Sequence, residues 1–81
     1  MTPELQKYFD SYFDLFVTDG WKQFMEDVKE SADSFNLRHV ENESALKFAQ
    51  GQLLILDRLI NWEAGIRNTF DTVQEEEKEE E

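Results

Sequence analysis

The feature that most constrains the fold is a central run in which apolar residues lie on more than one side of a predicted helix. The run FAQGQLLILDRLINWEAG covers residues 48–65, and between positions 53 and 60 only Asp57 and Arg58 are polar. Helical spacing of the apolar residues continues on both sides of it. The pattern predicts one long helix from about Asn42 to Gln74.

This long helix carries two apolar seams, each with close to heptad spacing. The first seam consists of Leu46, Ala49, Leu53, Leu56 and Ile60. The second consists of Phe48, Ile55, Leu59, Trp62, Ile66, Phe70 and Val73. Two shorter helices of the same chain could cover both seams, or one such helix and a second copy of the protein. The sequence permits both arrangements. We favour helix 2 antiparallel on the first half of the long helix, helix 1 over the remainder, and a dimer in addition.

Two shorter helices are predicted before the long one. The first begins at Thr2 and Pro3, which suit a helix start, and runs to about Val17. Its apolar face is Leu5, Tyr8, Phe9, Tyr12, Phe13 and Phe16. The second begins after a Thr18 cap, with an apolar stripe of Trp21, Phe24, Met25, Val28, Ala32 and Phe35. A loop is predicted at about Asn36 to Glu41, followed by a cap at Asn42 or Ser44.

These elements predict an all-α fold, a three-helix antiparallel hairpin-like bundle with two short helices packed along one long C-terminal helix. Residues 1–74 form the predicted single domain. Residues 75–81, EEEKEEE, are predicted to be a disordered or frayed tail, because their carboxylates lie at the negative end of the helix dipole.

Charge and size limit the classes of partner. The chain has 81 residues, 19 acidic and 8 basic, a net charge of −11 and no cysteine. Such a field repels phosphate backbones and anionic lipids, so nucleic-acid and membrane binding are disfavoured. A domain this small buries a limited core, which favours oligomerisation and above all a dimer. We expect a soluble, cytosolic protein.

Neither a catalytic set nor a metal or cofactor site is predicted. His39 is the single histidine and lies in a predicted loop, where a surface or capping role is favoured. Asp10 and Asp14 lie one helical turn apart, but a solvated helix face is favoured over a cation site.

Gly51, between Gln50 and Gln52, should have a reason for its position, since glycine costs about 1 kcal/mol relative to alanine inside a helix. It has two interpretations. In the favoured one, helix 2 approaches the bare backbone closely; in the other, the segment contacts another protein.

The candidate site is a protein interface on the long helix. Arg58 and Trp62 share a predicted face and are residue types common in interaction hot spots. An intramolecular core role for Trp62 is the favoured alternative. The predicted interface comprises Gln52, Ile55, Arg58, Leu59, Trp62, Ile66 and Phe70.

Three segments together resemble a group of small, uncharacterised helical proteins that tailed bacteriophages encode, often among their head and portal genes. The segments are YFDLF at residues 12–16, GW at residues 20–21 and QGQL at residues 50–53. The resemblance covers most of residues 5–66 and brings no catalytic residue with it. It implies a phage protein in the host-cell cytoplasm, with incorporation in the virion left open.

Two functions are therefore expected as alternatives. The first is a non-enzymatic assembly or virion-associated protein that docks on a capsid, portal or scaffold component through the long helix. The second is an acidic inhibitor that binds a basic nucleic-acid-binding surface of a host enzyme. An exposed apolar patch above about 400 Å² would favour the first, and carboxylates concentrated on one face with a spacing like that of phosphates would favour the second.

Overall fold

The computed structural model describes residues 1–35 and 41–80, and all regular secondary structure in these residues is helical. The helices are α1 (Pro3–Phe16), α2 (Asp19–Asp33), α3 (Glu43–Ile60) and α4 (Trp62–Glu80). The all-α prediction is confirmed. The prediction of three helices is wrong, because the predicted helix from Asn42 to Gln74 is two helices.

The division between α3 and α4 lies at Asn61, whose backbone angles are φ −94° and ψ 6°. Its side-chain amide donates to the backbone oxygen of Asp57 at 2.9 Å. Its backbone N–H donates to the same oxygen at 3.1 Å. Asparagine side chains bond locally to the backbone in this way, and they are favoured at helix ends over helix interiors. The N–H bond is the regular one of an α-helix, so the interruption is the departure of the Asn61 backbone angles from helical values, which the side-chain bond accompanies.

Side-chain caps begin three of the helices, as the sequence predicts. The bonds run from the Leu5 N–H to Thr2 Oγ1 (3.1 Å), from the Trp21 N–H to Thr18 Oγ1 (3.2 Å) and from the Ala45 N–H to Asn42 Oδ1 (2.8 Å). Each satisfies an amide that has no partner within its own helix. Of the two caps proposed for α3, the structure uses Asn42.

Residues 75–80 of the acidic C-terminal segment are helical in the structure. α4 continues past Gln74, the predicted end, to Glu80. The carboxylate of Glu77 forms an ion pair with the amino group of Met1. The division into a domain of residues 1–74 and a tail stays a prediction. Residues 36–40, which include His39 and most of the predicted loop, lie outside the described residues.

The chain divides into two compact units, and the first comprises Met1–Lys22 with Trp62–Glu81. Here α1 packs against α4. The helices are antiparallel, because Met1 pairs with Glu77 whereas Trp21, beyond the other end of α1, bonds to Glu63. α4 includes the C-terminal part of the predicted long helix, so α1 covers that part; the predicted three-helix arrangement as a whole is not confirmed.

An aromatic core holds the first unit together. Phe9, Phe16 and Ile66 are 1%, 3% and 9% exposed. The Phe70 ring lies 5.1 Å from the rings of both Phe9 and Phe13, in edge-to-face geometry. Such pairs add about 0.5 to 1.5 kcal/mol each beyond the burial of their area.

The second unit, Gln23–Asn61, contains most of α2 and all of α3. Val28 of α2 is 6% exposed. Every residue of the first seam on α3 is half-buried, and no residue between Glu43 and Ile60 is fully buried. α3 therefore buries one face in part and leaves another to solvent.

Candidate interaction surfaces

A row of residues on the exposed side of α3 forms the first candidate surface. We call Phe48, Gln52, Ile55 and Leu59 the α3 stripe; their spacing of three and four residues places them on one helix face. Phe48 is 68% exposed and Ile55 is 61% exposed. Gln52 is exposed and Leu59 is half-buried. The stripe is therefore an apolar surface that this unit leaves in contact with water.

A shallow groove opens beside the α3 stripe within the second unit. Its volume is about 390 Å³, and its lining residues are Ser31, Phe35, Gln52, Ile55 and Leu56. Three of these side chains are apolar, and the Ser31 hydroxyl and the Gln52 amide supply the polar groups. A groove of this kind can receive an apolar side chain from a partner and a hydrogen bond at its edge.

α3 is balanced in charge, unlike the rest of the chain. Its acidic residues are Glu43 and Asp57, and its basic residues are Lys47 and Arg58. Lys47 and Glu43 form an exposed ion pair at 3.4 Å. From Phe48 to Leu56 the helix carries no charge. An apolar partner can therefore approach this part of α3 without desolvating a charged side chain.

Gly51 lies inside α3 and has no close neighbour. A Cβ atom built at this position meets no heavy atom within 4 Å, other than the backbone of its own helix turns. The expectation that helix 2 packs closely over Gly51 is therefore wrong. The backbone there has no positive φ that would require glycine. Contact with another protein, the second interpretation of this position, stays a prediction.

The predicted interface residues on α4 are covered to different extents. Ile66 is 9% exposed in the aromatic core, and Phe70 is half-buried against Phe9. Trp62 is 42% exposed, with its ring 6.5 Å from that of Tyr12. α1 thus covers Ile66 and Phe70 and leaves much of Trp62 accessible.

On α3, the predicted interface residues Gln52, Ile55 and Arg58 are exposed and Leu59 is half-buried. Of the seven predicted interface residues, Gln52, Ile55 and Arg58 on α3 and Trp62 on α4 are exposed. Their role as an interface stays a prediction.

A second candidate surface lies on α1, where sequence analysis assigned one packing face. Tyr8 is 49% exposed and Leu15 is 41% exposed. Together with Ser11 and Tyr12 they line a groove of about 430 Å³. Leu15 lies outside the predicted packing face, seven residues after Tyr8. A spacing of seven residues places Tyr8 and Leu15 on one helix face, and this spacing could have predicted a second apolar row on α1.

Glu63 organises the polar contacts of the first unit. Its Oε1 accepts from the indole N–H of Trp21 at 3.1 Å, and its Oε2 accepts from Arg67 Nε at 3.1 Å. The guanidinium carbon of Arg67 also lies 5.3 Å from the centre of the Phe13 ring and 5.7 Å from that of Phe16. Through these contacts the Arg67 side chain of α4 packs on aromatic rings of α1.

The acidic residues form no metal cluster in the described parts of the chain. No group of three or more His, Asp or Glu residues within 1–35 and 41–80 could hold a metal ion. Asp10, weighed above as a cation ligand, accepts a hydrogen bond from Gln6 Nε2 at 2.9 Å. None of the helices in these residues has both the length and the apolar character to cross a membrane.

The sequence and the fold match no protein-family model, no curated protein and no solved structure. The function proposed below therefore depends on the surfaces described above and on the resemblance carried by the sequence.

Proposed function

We propose that this chain is a non-enzymatic interaction protein that docks on another protein through the α3 stripe. The observation that carries the proposal is the exposure of Phe48 and Ile55 on an uncharged stretch of helix. Ordinary surface helices present polar residues at such positions. The resemblance indicates the partner class, a capsid, portal or scaffold component of a tailed bacteriophage.

The exposed area indicates how strong such a contact can be. A large apolar side chain offers roughly 200 Å², so the exposures of Phe48 and Ile55 leave about 260 Å² in water. This area is smaller than the roughly 400 Å² that would mark a docking patch by its size alone. Buried area does not convert directly into affinity, because association costs about 4 to 15 kcal/mol, so a partner has to add apolar area of its own. The stripe therefore suits a partner that is itself apolar.

A second copy of the chain also meets this requirement, and the predicted homodimer would use the same stripe. A phage component and a second copy cannot occupy one stripe together. Light scattering of the purified protein from about 1 to 100 μM shows whether the chain forms a dimer. Dissociation of a dimer by Ile55→Asp would assign the stripe to self-association.

The docking experiment measures binding to purified capsid, portal and scaffold proteins of a tailed phage by co-sedimentation. Ile55→Asp should abolish binding, because it places an unpaired charge in an apolar contact. Val17→Asp is the matched control, since Val17 is 69% exposed and lies in the first unit. Equal binding by both variants, at unchanged helicity, would refute docking through the stripe.

One observation supports the alternative function, inhibition at a basic host surface. Because α4 is helical to Glu80, the carboxylates of Asp71, Glu75 and Glu79 follow one another at intervals of four residues. Each interval rises about 6 Å along one helix face. Such a row of negative charges suits a basic nucleic-acid-binding groove. Competition with DNA for a host enzyme, relieved by Glu75→Lys, would favour this function over docking through α3.

A further inference from the structure

We propose that the α1 groove, formed by Tyr8, Ser11, Tyr12 and Leu15, binds a basic amphipathic segment of another protein. The apolar side chains of that segment lie against Leu15 and the tyrosine rings. Its lysine or arginine side chains lie over the aromatic rings and beside the carboxylates of the first unit. This surface is distinct from the α3 stripe, and the proposal does not depend on what occupies that stripe.

The two tyrosine rings of the groove belong to a row of aromatic rings that continues to Trp62. The Tyr8 and Tyr12 ring centres are 5.3 Å apart in edge-to-face geometry, and the Tyr12 and Trp62 ring centres are 6.5 Å apart. Tyr8 is 49% exposed and Trp62 is 42% exposed, so parts of both rings contact water. Tyrosine and tryptophan are the side chains that hold a cation most strongly over a ring.

Within the same unit, Arg67 already makes a contact between a cation and an aromatic ring. Its guanidinium carbon lies 5.3 Å from the centre of the Phe13 ring. Phe13 faces α4 on the other side of α1 from Tyr8, because the two positions are five residues apart on the helix. The Arg67 contact therefore leaves the Tyr8 side of α1 to an external cation.

Charge complementarity selects a basic occupant rather than a second copy. The first unit contains twelve acidic residues and four basic ones. Glu4 lies one helical turn before Tyr8, and Lys7 lies one turn before Ser11, so the attraction for a cation comes from the net charge of the unit. Two copies of this unit repel each other, whereas a basic segment is attracted to the groove before contact. The charge-balanced α3 stripe has no such preference.

The test uses three synthetic helical peptides of about 18 residues, roughly five turns. The first combines leucine and lysine on opposite faces, the second leucine and glutamate, and the third lysine and glutamine without leucine. Calorimetric titration of the full chain should give a Kd for the leucine–lysine peptide at least tenfold lower than for either other peptide. The leucine–glutamate peptide tests the charge, and the lysine–glutamine peptide tests the apolar contact.

Variants then locate the binding. Tyr8→Ser and Leu15→Ser should each raise the Kd of the leucine–lysine peptide at least tenfold. Val17→Ser should leave it within about twofold, since Val17 is an exposed apolar residue outside the groove. Circular dichroism of each variant verifies that the helices persist.

Several results would overturn the proposal. The leucine–lysine peptide could fail to bind at millimolar concentration, or the leucine–glutamate or the leucine-free peptide could bind as tightly as it does. Tyr8→Ser and Val17→Ser could also change the Kd of the leucine–lysine peptide equally. If Ile55→Asp abolishes binding of the leucine–lysine peptide and Tyr8→Ser does not, the peptide binds at the α3 stripe. That result would refute the α1 site and would not contradict the proposed docking through α3.

Discussion

Replacement of Gly51 by alanine tests whether this side of α3 is open in the folded chain. Gly51 lies in the interior of α3, and a Cβ there meets no neighbour within 4 Å. Alanine is therefore expected to gain the full difference in helix propensity, about 0.8 to 1.0 kcal/mol, without a clash. For a domain of this size, 1 kcal/mol corresponds to a rise of about 4 to 8 °C in Tm.

The assay is urea unfolding followed by circular dichroism, at a concentration where light scattering shows a monomer. Gly65→Ala is the matched control, because Gly65 lies inside α4 and a Cβ there is also free of neighbours. The hydrogen bond from Thr69 Oγ1 to the Gly65 carbonyl involves the backbone and persists in the variant. Each variant should gain about 1 kcal/mol, and the double variant about 2 kcal/mol.

The two variants together separate the possible results. If Gly65→Ala raises stability and Gly51→Ala lowers it, another part of the chain must approach α3 at Gly51, and our interpretation of an open face is refuted. If Gly51→Ala instead raises monomer stability and weakens binding of a partner, the bare backbone at Gly51 belongs to a contact with that partner.

Three further predictions concern the first unit. Phe9→Ala should cost about 3 to 5 kcal/mol and leave little cooperative unfolding, because Phe9 is 1% exposed in a small core. Glu63→Ala should cost about 1 to 3 kcal/mol in urea unfolding, because the partly buried Trp21 indole loses its acceptor; Glu63→Gln, which keeps a carbonyl oxygen, should cost less. Deletion of residues 75–81 should lower the free energy of unfolding by less than about 1 kcal/mol, because it removes chiefly the ion pair between Met1 and Glu77. A larger loss of stability that persists in 1 M salt would show that the acidic segment packs on the fold.

Local sequence signals predicted the helix starts correctly because a cap depends on few neighbours. Thr2, Thr18 and Asn42 each bond to an amide three residues ahead. The division at Asn61 was missed for a different reason. Asparagine costs only a fraction of a kcal/mol inside a helix, so one such residue in a periodic run predicts no break. The bond from its exposed side chain to the carbonyl of Asp57 is local, and the spacing of apolar residues carries no signal for it.

The apolar seams show the same limit of sequence analysis. The heptad spacing identified Ile66 and Phe70 as residues that need a cover, but did not tell an internal helix from a second chain. In the structure α1 supplies that cover. Ile55 belongs to the same seam by spacing, yet it is 61% exposed. Membership of a seam therefore predicts that a residue tends to be buried, whereas the length and position of the covering helix decide which residues are.

The number of helices in each unit accounts for both exposed surfaces. Two packed helices share one interface, so each can bury only one of its faces within the unit. α3 carries apolar residues on two faces, and the face of Leu53 is the half-buried one, which leaves Ile55 in water. α1 likewise turns Phe9 towards α4 and leaves Tyr8 half-exposed. Burial of either remaining face requires a surface outside its own unit, and the two faces differ in charge. We therefore expect an uncharged apolar partner at α3 and a basic one at α1.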